Sequence, residues 1–319
     1  MLPHTEIVTD VLVIGGGIAG FFAAIKAREQ GLDVLVTDKG YAGKAGAGYA
    51  SGMGYMVYHP DLGLNLEACM DAISVKGEYL NDREWTEIVF KDSWATYQDL
   101  LSWGVEFPIE EDTQLVRGFE PFGIVRIIRR KTTPVLRQQA VKTGVRILDR
   151  TMIADLLKQD GKVVGAIGFP MDEDRLIVFK AKAVVMSAGY NSFKPAGAEI
   201  HALTGDGEAM AYRAGAEITC REFLDSGNYG MLPYPAWRGG RGSRATFRNY
   251  IDGEGRQVFT HYQAEADLAL DFAIHAGRGP ILWDIDDAPA EDVERMRKRM
   301  MNSDAIESER MGFDPGKGG

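Results

Sequence analysis

Residues 10–20 constrain this chain more than any other stretch. Asp10-Val11-Leu12-Val13-Ile14 is a short apolar run, followed at once by Gly15-Gly16-Gly17-Ile18-Ala19-Gly20. A β-rich run without polar alternation suits a strand buried on both faces of a parallel sheet. A helix is expected next, through about Gln30 and closed by Gly31, then a second strand over 32–37 that ends on Asp38. Strand, turn, helix and strand within about 30 residues make one βαβ unit. A GxGxxG turn between strand and helix, with an acidic residue after the second strand, is the dinucleotide-binding fingerprint of a Rossmann-like fold. The first glycine makes the tight turn, Gly17 lets backbone approach a pyrophosphate, and Gly20 lets helix and strand pack closely. The helix N-terminus then presents free N–H groups and a partial positive charge to the phosphates. Asp38 is placed to accept hydrogen bonds from an adenosine ribose. It would repel a 2′-phosphate, which disfavours NADP despite the neighbouring Lys39. NAD and FAD share the fingerprint, and the βαβ unit alone does not separate them.

Beyond Asp38 the chain is rich in glycine and alanine as far as Gly54, and then helical. Helices are expected over 64–79, from an Asp82 cap to Trp103 with a stop at Gly104, and from Thr133-Pro134 to Gly144. Strands return at 145–148 and 152–158, and Asp160-Gly161 signals a hairpin into 163–169. Two further strand runs cover 177–179 and 183–186. Thr204-Gly205-Asp206-Gly207 opens a helix that Gly215 ends. Residues 219–260 lose periodicity; a helix over 264–275, a strand over 281–285 and a charged helix over 291–301 follow. These elements divide into an α/β domain over 1–218 with a parallel sheet, a smaller α+β cap over 219–310, and a flexible tail over 311–319.

Composition narrows the partners. The 319 residues carry a formal charge of −10, and Cys69 and Cys220 are the only cysteines. An acidic balance argues against nucleic acid. Two cysteines far apart form no ligand spacing, so no metal site and no disulfide framework is expected. No uninterrupted apolar stretch reaches the ~18 residues of a membrane span, and the early apolar segment lacks the flanks of a secretory signal. The chain is expected in the cytoplasm.

A set of further motifs occurs in a fixed order: 10–39, Ala45-Gly46-Ala47-Gly48-Tyr49-Ala50-Ser51-Gly52, Ser187-Ala188-Gly189, Leu203-Thr204-Gly205-Asp206-Gly207, and Arg213-Ala214-Gly215-Ala216. In this the chain resembles the flavoprotein subunits of the succinate dehydrogenase/fumarate reductase family, which includes L-aspartate oxidase and the adenylylsulfate reductase α subunit. The resemblance spans 8–218 and is looser over 219–290. It implies FAD, held by Gly15, Gly16, Gly17, Ile18, Ala19 and Gly20 at the pyrophosphate and by Asp38 and Lys39 at the adenosine ribose. It places Ala45, Gly46, Ala47 and Gly52 beside the flavin, and the backbone of Met152 and Ile153 at the adenine. Ala188 and Gly189 would line the dinucleotide, and Asp206 would face its ribityl or flavin end. Members with covalent FAD carry histidine in the small-residue stretch; Gly46 stands there here, which implies a noncovalent flavin.

The chain departs from the family's dicarboxylate reducers. Their His-Pro pair after the Arg-Ala-Gly-Ala helix is replaced by Glu222-Phe223-Leu224-Asp225-Ser226-Gly227-Asn228. Counting back without gaps from Gly277-Arg278-Gly279 puts Leu268 at their catalytic arginine. A leucine neither donates a proton nor clamps a carboxylate, so succinate and fumarate are not expected as substrates in the standard way. Arg238, Arg241, Arg244 and Arg248 could form an anion-binding loop near the flavin or a solvated loop or subunit interface. The family's second glycine-rich strand–helix segment has no counterpart over 281–319. The expected function is therefore an FAD-dependent oxidoreductase acting on a small molecule or, alternatively, a flavin-carrying electron-transfer subunit or half of a split flavoenzyme. Its expected partner is an electron carrier or complementary flavoprotein subunit.

Overall fold

The computed structural model describes residues 4–50, 54–107, 121–128, 130–189, 203–219, 249–259, 266–284 and 289–291. Gly52, Cys220, the 222–228 stretch, the four arginines between 238 and 248, and the tail lie outside them, as does nearly all of the charged helix expected over 291–301. The chain divides into two compact units, Met1–Lys194 with Glu199–Arg221, and Pro195–Ala198 with Glu222–Gly319.

The first unit opens with β1 (His4–Ile14), α1 (Ile18–Glu29) and β2 (Val34–Thr37). A short α2 (Ala47–Ala50) and β3 (Gly54–Val57) lead to a helical hairpin, α3 (Leu66–Lys76) and α4 (Arg83–Ser102). The Asp82 carboxylate caps α4 by accepting the Glu84 and Trp85 N–H groups, and Gly104 follows it with φ +89°. Next come β4 (Gly123–Arg126), antiparallel to β3, then α5 (Thr132–Thr143), β5 (Arg146–Leu148), β6 (Thr151–Gln159), β7 (Lys162–Pro170), β8 (Leu176–Met186) and α6 (Asp206–Ala214).

One six-stranded sheet, ordered β5-β2-β1-β8-β7-β6, organises this unit. β5, β2, β1 and β8 run parallel, whereas β7 and β6 return antiparallel. The sheet is therefore parallel where the fingerprint lies and antiparallel in a three-stranded arm beyond it. Asp160 and Gly161 turn that arm's hairpin with φ +49° and +77°, the positive pair that a tight two-residue hairpin turn needs.

The apolar run at 11–14 feeds both faces. Val11 and Val13, with Val34 and Val36 of β2, pack on Phe21, Ala24 and Ile25 of α1 and on Leu136 and Ala140 of α5. Leu12 and Ile14 turn the other way, with Leu35, Ile153, Ala166, Ile177, Phe179 and Met210. Two-sided burial is why this strand reads as unbroken apolar sequence.

β8 is one strand where the sequence shows two runs, and β1 begins seven residues before the apolar run at 11–14. Both differences share a cause. The polar stretch 4–9 of β1 pairs with β8 in parallel register. Lys180 meets Glu6 at 2.7 Å and Lys182 meets Asp10 at 2.6 Å, so opposite charges on adjacent strands carry the ladder where apolar burial stops.

In the second unit, β9 (Asn249–Ile251) lies antiparallel between β10 (Gln257–Phe259) and β11 (Leu282–Asp284), with α7 (Ala266–His275) between β10 and β11 in sequence. The Asp252 carboxylate, buried in the β9–β10 turn, accepts the N–H groups of Glu254 and Arg256 and the Arg256 Nε–H. Among the described residues no helix is long and apolar enough to cross a membrane.

Candidate dinucleotide-binding site

The parallel register aligns Ile14 with Thr37 and Met186, and Thr37 with Leu148. The segments leaving β1, β2, β5 and β8 therefore emerge along one edge, the carboxyl ends of the strands. β1 sits at the centre, with its βαβ partner β2 on one side and β8 on the other. A crevice at such a reversal of strand order is where open α/β sheets bind ligands. Gly15–Gly17, Asp38–Gly40, Asp149–Arg150 and Ser187–Gly189 all stand there.

The glycines of the turn divide by what surrounds them. Gly15 has φ +105°, and a Cβ on it would stand 2.2 Å from the Ser187 carbonyl oxygen; one on Gly20 would stand 1.8 Å from the Gly15 carbonyl oxygen. Both positions are closed by the protein's own backbone. Gly17 is the opposite, with nothing within 4 Å of an added Cβ. It caps α1 in an extended conformation, with no side chain bonded to the helix end and no acidic residue in the first turn. The first N–H groups of α1 have no acceptor within the helix, and the positive end of its dipole lies at Gly17. That is the form of an anion cradle. Ile18 is half-buried against the core and Ala19 is exposed.

Asp38 is fully engaged with the loop. One carboxylate oxygen accepts the Gly16 N–H at 2.8 Å and the other the Gly40 N–H at 2.7 Å, which leaves each a second lone pair for a ligand. Lys39 reaches across to the start of α6, with Nζ 2.6 Å from the Thr204 hydroxyl and 2.9 Å from Asp206. The Thr204 hydroxyl in turn donates to Asp206. Burial pushes the Asp206 carboxyl up, but the Thr204 hydroxyl and the Lys39 ammonium outweigh it and hold the group below the usual carboxylate range. The resemblance gives Lys39 to the adenosine ribose and Asp206 to the ribityl or flavin end, and the two side chains form an ion pair.

Ala188 and Gly189 follow β8. A Cβ on Gly207 would stand 2.7 Å from the Ala188 Cβ, and one on Gly189 3.1 Å from Leu203 Cδ2, so this turn lies tightly against the start of α6. Ala45, Gly46 and Ala47 are half-buried, and Gly46 has φ +76° with open space around it. Met152 and Ile153 lie within the β6–β7 ladder opposite Phe169 and Gly168, and the Ile153 side chain is in the core. The β5–β6 corner just before them bonds to the segment after β2. Arg150 N–H donates to the Gly40 carbonyl at 2.7 Å and Thr151 N–H to that of Asp38 at 2.8 Å.

A second tier of residues carries no sequence signature. Arg137 of α5 grips Asp149 with two 2.8 Å hydrogen bonds. Both partners hold Ala42, whose N–H donates to Asp149 and whose carbonyl accepts from Arg137, each at 2.8 Å. The Thr133 hydroxyl donates to the Gly43 carbonyl, and Gly43 N–H to the Gly16 carbonyl, both at 2.8 Å. Thr133, Arg137 and Asp149 are 90 or more residues from the loop they hold, and no local pattern announces them.

A family model described as "FAD binding domain" matches residues 10–226. The chain belongs to that FAD-binding family. Within it, the relatives are flavoproteins of the succinate dehydrogenase/fumarate reductase group. The chain is 25% identical to one subunit of the CoM/CoB fumarate reductase of Methanothermobacter marburgensis, over 92% of this chain and 58% of that protein. It is 29% identical to L-aspartate oxidase of Halobacterium salinarum, over 82% of this chain and 53% of that protein. It spans little more than half the length of these relatives. The fold is that of E. coli quinol fumarate reductase FrdA, with TM-score 0.79 and 18% identity over 98% of this chain and 59% of that one. Adenylylsulfate reductase from Archaeoglobus fulgidus gives TM-score 0.72 and 21% identity over 99% and 57%.

FAD meets the chemistry of this edge. Its pyrophosphate suits the helix start at Gly17, where even an added Cβ would have nothing within 4 Å. Its ribose hydroxyls suit a carboxylate with spare lone pairs, as at Asp38. Among the described residues no group of histidine, cysteine or carboxylate side chains could hold a metal ion.

Proposed function

We propose that this chain is the FAD-carrying part of an oxidoreductase, holding the cofactor without a covalent bond. The open, uncapped helix start at Gly17 carries the reading, because it is a place built for an anion and for little else. Gly15 and Gly20 shape the turn, Gly16 ties it to Asp38, and Gly17, Ile18 and Ala19 offer N–H groups to the pyrophosphate. Asp38 takes the adenosine ribose, and Lys39 with Asp206 closes the same end of the site. Ala188 and Gly189 line the dinucleotide, and Ala45, Gly46, Ala47 and Gly52 leave room beside the flavin. Gly46 supports noncovalent attachment, since hydrogen cannot form the link that a side chain would.

Bound FAD supplies hydride and electron transfer; the chain's own residues bind it, orient it and fix its electrostatic surroundings. A small-molecule substrate and a partner that takes or supplies electrons complete the reaction. A second reading, a flavin-carrying electron-transfer subunit without a substrate site, is favoured by Leu268 and the absence of the His-Pro pair. The relatives' names support work within an assembly, since they include subunits. Heating or acidifying the native protein tests the cofactor assignment: intact FAD is expected in the supernatant, and flavin fixed to the precipitated polypeptide would overturn the noncovalent reading.

A further inference from the structure

We propose that Arg137 and Asp149 are positioning residues for FAD, holding the loop after β2 in the one placement that completes the pyrophosphate cradle. The proposal rests on the FAD reading above and adds a cause for the cradle's shape. The loop does not stand by itself. Ala42 is held at both of its backbone groups by one ion pair, with Asp149 Oδ1 on its N–H and Arg137 Nη1 on its carbonyl. The pair is planar and two-pronged, so it fixes direction as well as distance. It is also substantially sheltered, Arg137 being 31% and Asp149 25% exposed.

The next links run straight to the ligand turn. A Cβ on Gly16 would stand 2.3 Å from the Ala42 Cβ, so Ala42 lies directly on the turn. Gly43, the following residue, donates to the Gly16 carbonyl. Gly16 N–H is in turn bonded to Asp38. Any shift of Ala42 is therefore passed to Gly16, adjacent to the cradle at Gly17, and to the carboxylate proposed for the ribose. Neither Arg137 nor Asp149 needs to touch FAD. Their effect passes through Ala42 and Gly43.

What matters at position 149 is an acceptor for the Ala42 N–H as much as a negative charge. Asp149→Asn keeps an acceptor and loses the charge; Asp149→Leu loses both at similar size. FAD affinity is expected to fall in the order wild type, Asp149→Asn, Asp149→Leu. Arg137→Lys keeps the charge but loses the two-pronged grip, and is expected to weaken FAD by about tenfold. ADP carries only the adenosine and pyrophosphate part, and its affinity should fall by the same factor as that of FAD.

The test is titration of the full chain and these variants with FAD and with ADP, well below each apoprotein's measured Tm. Graded losses at position 149, with parallel losses of FAD and ADP binding in Arg137→Lys, support the proposal. Equal losses in Asp149→Asn and Asp149→Leu would overturn it. So would a lower apoprotein Tm with both affinities unchanged in Arg137→Lys, a variant mild enough to remain folded. Gly17→Val distinguishes the underlying reading. Full FAD binding by that variant would place the cofactor elsewhere, whereas weak binding there with wild-type affinity in Arg137→Lys would remove only the clamp.

Discussion

Gly17 and Gly20 are three residues apart in one turn, yet substituting them should have opposite consequences. A valine at Gly17 meets no protein atom within 4 Å of its Cβ, so the apoprotein should stay folded and lose only about 1 kcal/mol for the poorer N-cap of α1. FAD binding should be lost, because the side chain occupies the ligand's space. An alanine at Gly20 drives its Cβ into the Gly15 carbonyl oxygen, and should destabilise the fold itself by about 1–3 kcal/mol. Urea unfolding of the two apoproteins, with a flavin titration of each, checks both halves. Asp149 adds a pH dependence. Burial pushes its carboxyl up, and the Arg137 guanidinium and the Ala42 N–H outweigh that and hold it low. A carboxylate lowered by folding contributes stability above its unfolded value, about 3.9, and loses it as pH falls through the folded value. This pair should therefore leave FAD retention flat from neutral pH down to about 5 and weaken it only in stronger acid, a profile that the fluorescence of released flavin can follow.

At the scale of elements, what was legible was local. The βαβ unit, the Asp82 cap and the Asp160-Gly161 hairpin each follow from residues close in sequence, where one backbone preference or one side chain decides the outcome. Asp82→Ala should cost about 1 kcal/mol of stability and leave FAD affinity unchanged, which thermal unfolding and a flavin titration would verify. Pairings between distant segments were not legible. β3 meets β4 across 66 residues (57 to 123), and neither is long enough to show a period. β1 was readable only where both faces are apolar, because Glu6 and Asp10 make its early residues look like a loop until Lys180 and Lys182 stand beside them. The site divides the same way. Its glycines and Asp38 stand in a recognisable spacing, while Arg137, Asp149 and Thr133 act on a loop 90 or more residues away. Lys39 and Asp206 were both picked out by the motifs, but their contact depends on α6 folding back to the end of β2.

In the first unit one six-stranded sheet brings four loops to one edge, and the chemistry depends on what meets that edge. α3, α4 and the turn between them expose Val75, Tyr79, Leu80, Trp85, Ile88 and Val89. The proposed work within an assembly is a matter for size-exclusion chromatography with light scattering. Retention of FAD with ordinary affinity by an isolated monomer would count against a required partner. Leu268 and the residues in place of the His-Pro pair make succinate oxidation and fumarate reduction negligible in expectation. Turnover near the usual enzyme value of about 10 per second in a dye-linked assay would refute that. The central claim, that FAD rests on the turn at Gly17, has a more direct test: the visible spectrum of the native protein beside that of Gly17→Val, purified identically and shown by circular dichroism to be folded. A yellow wild type that releases equimolar FAD on heating, beside a folded and colourless variant, is the predicted result; a colourless wild type, or a variant carrying its full complement of FAD, would contradict it.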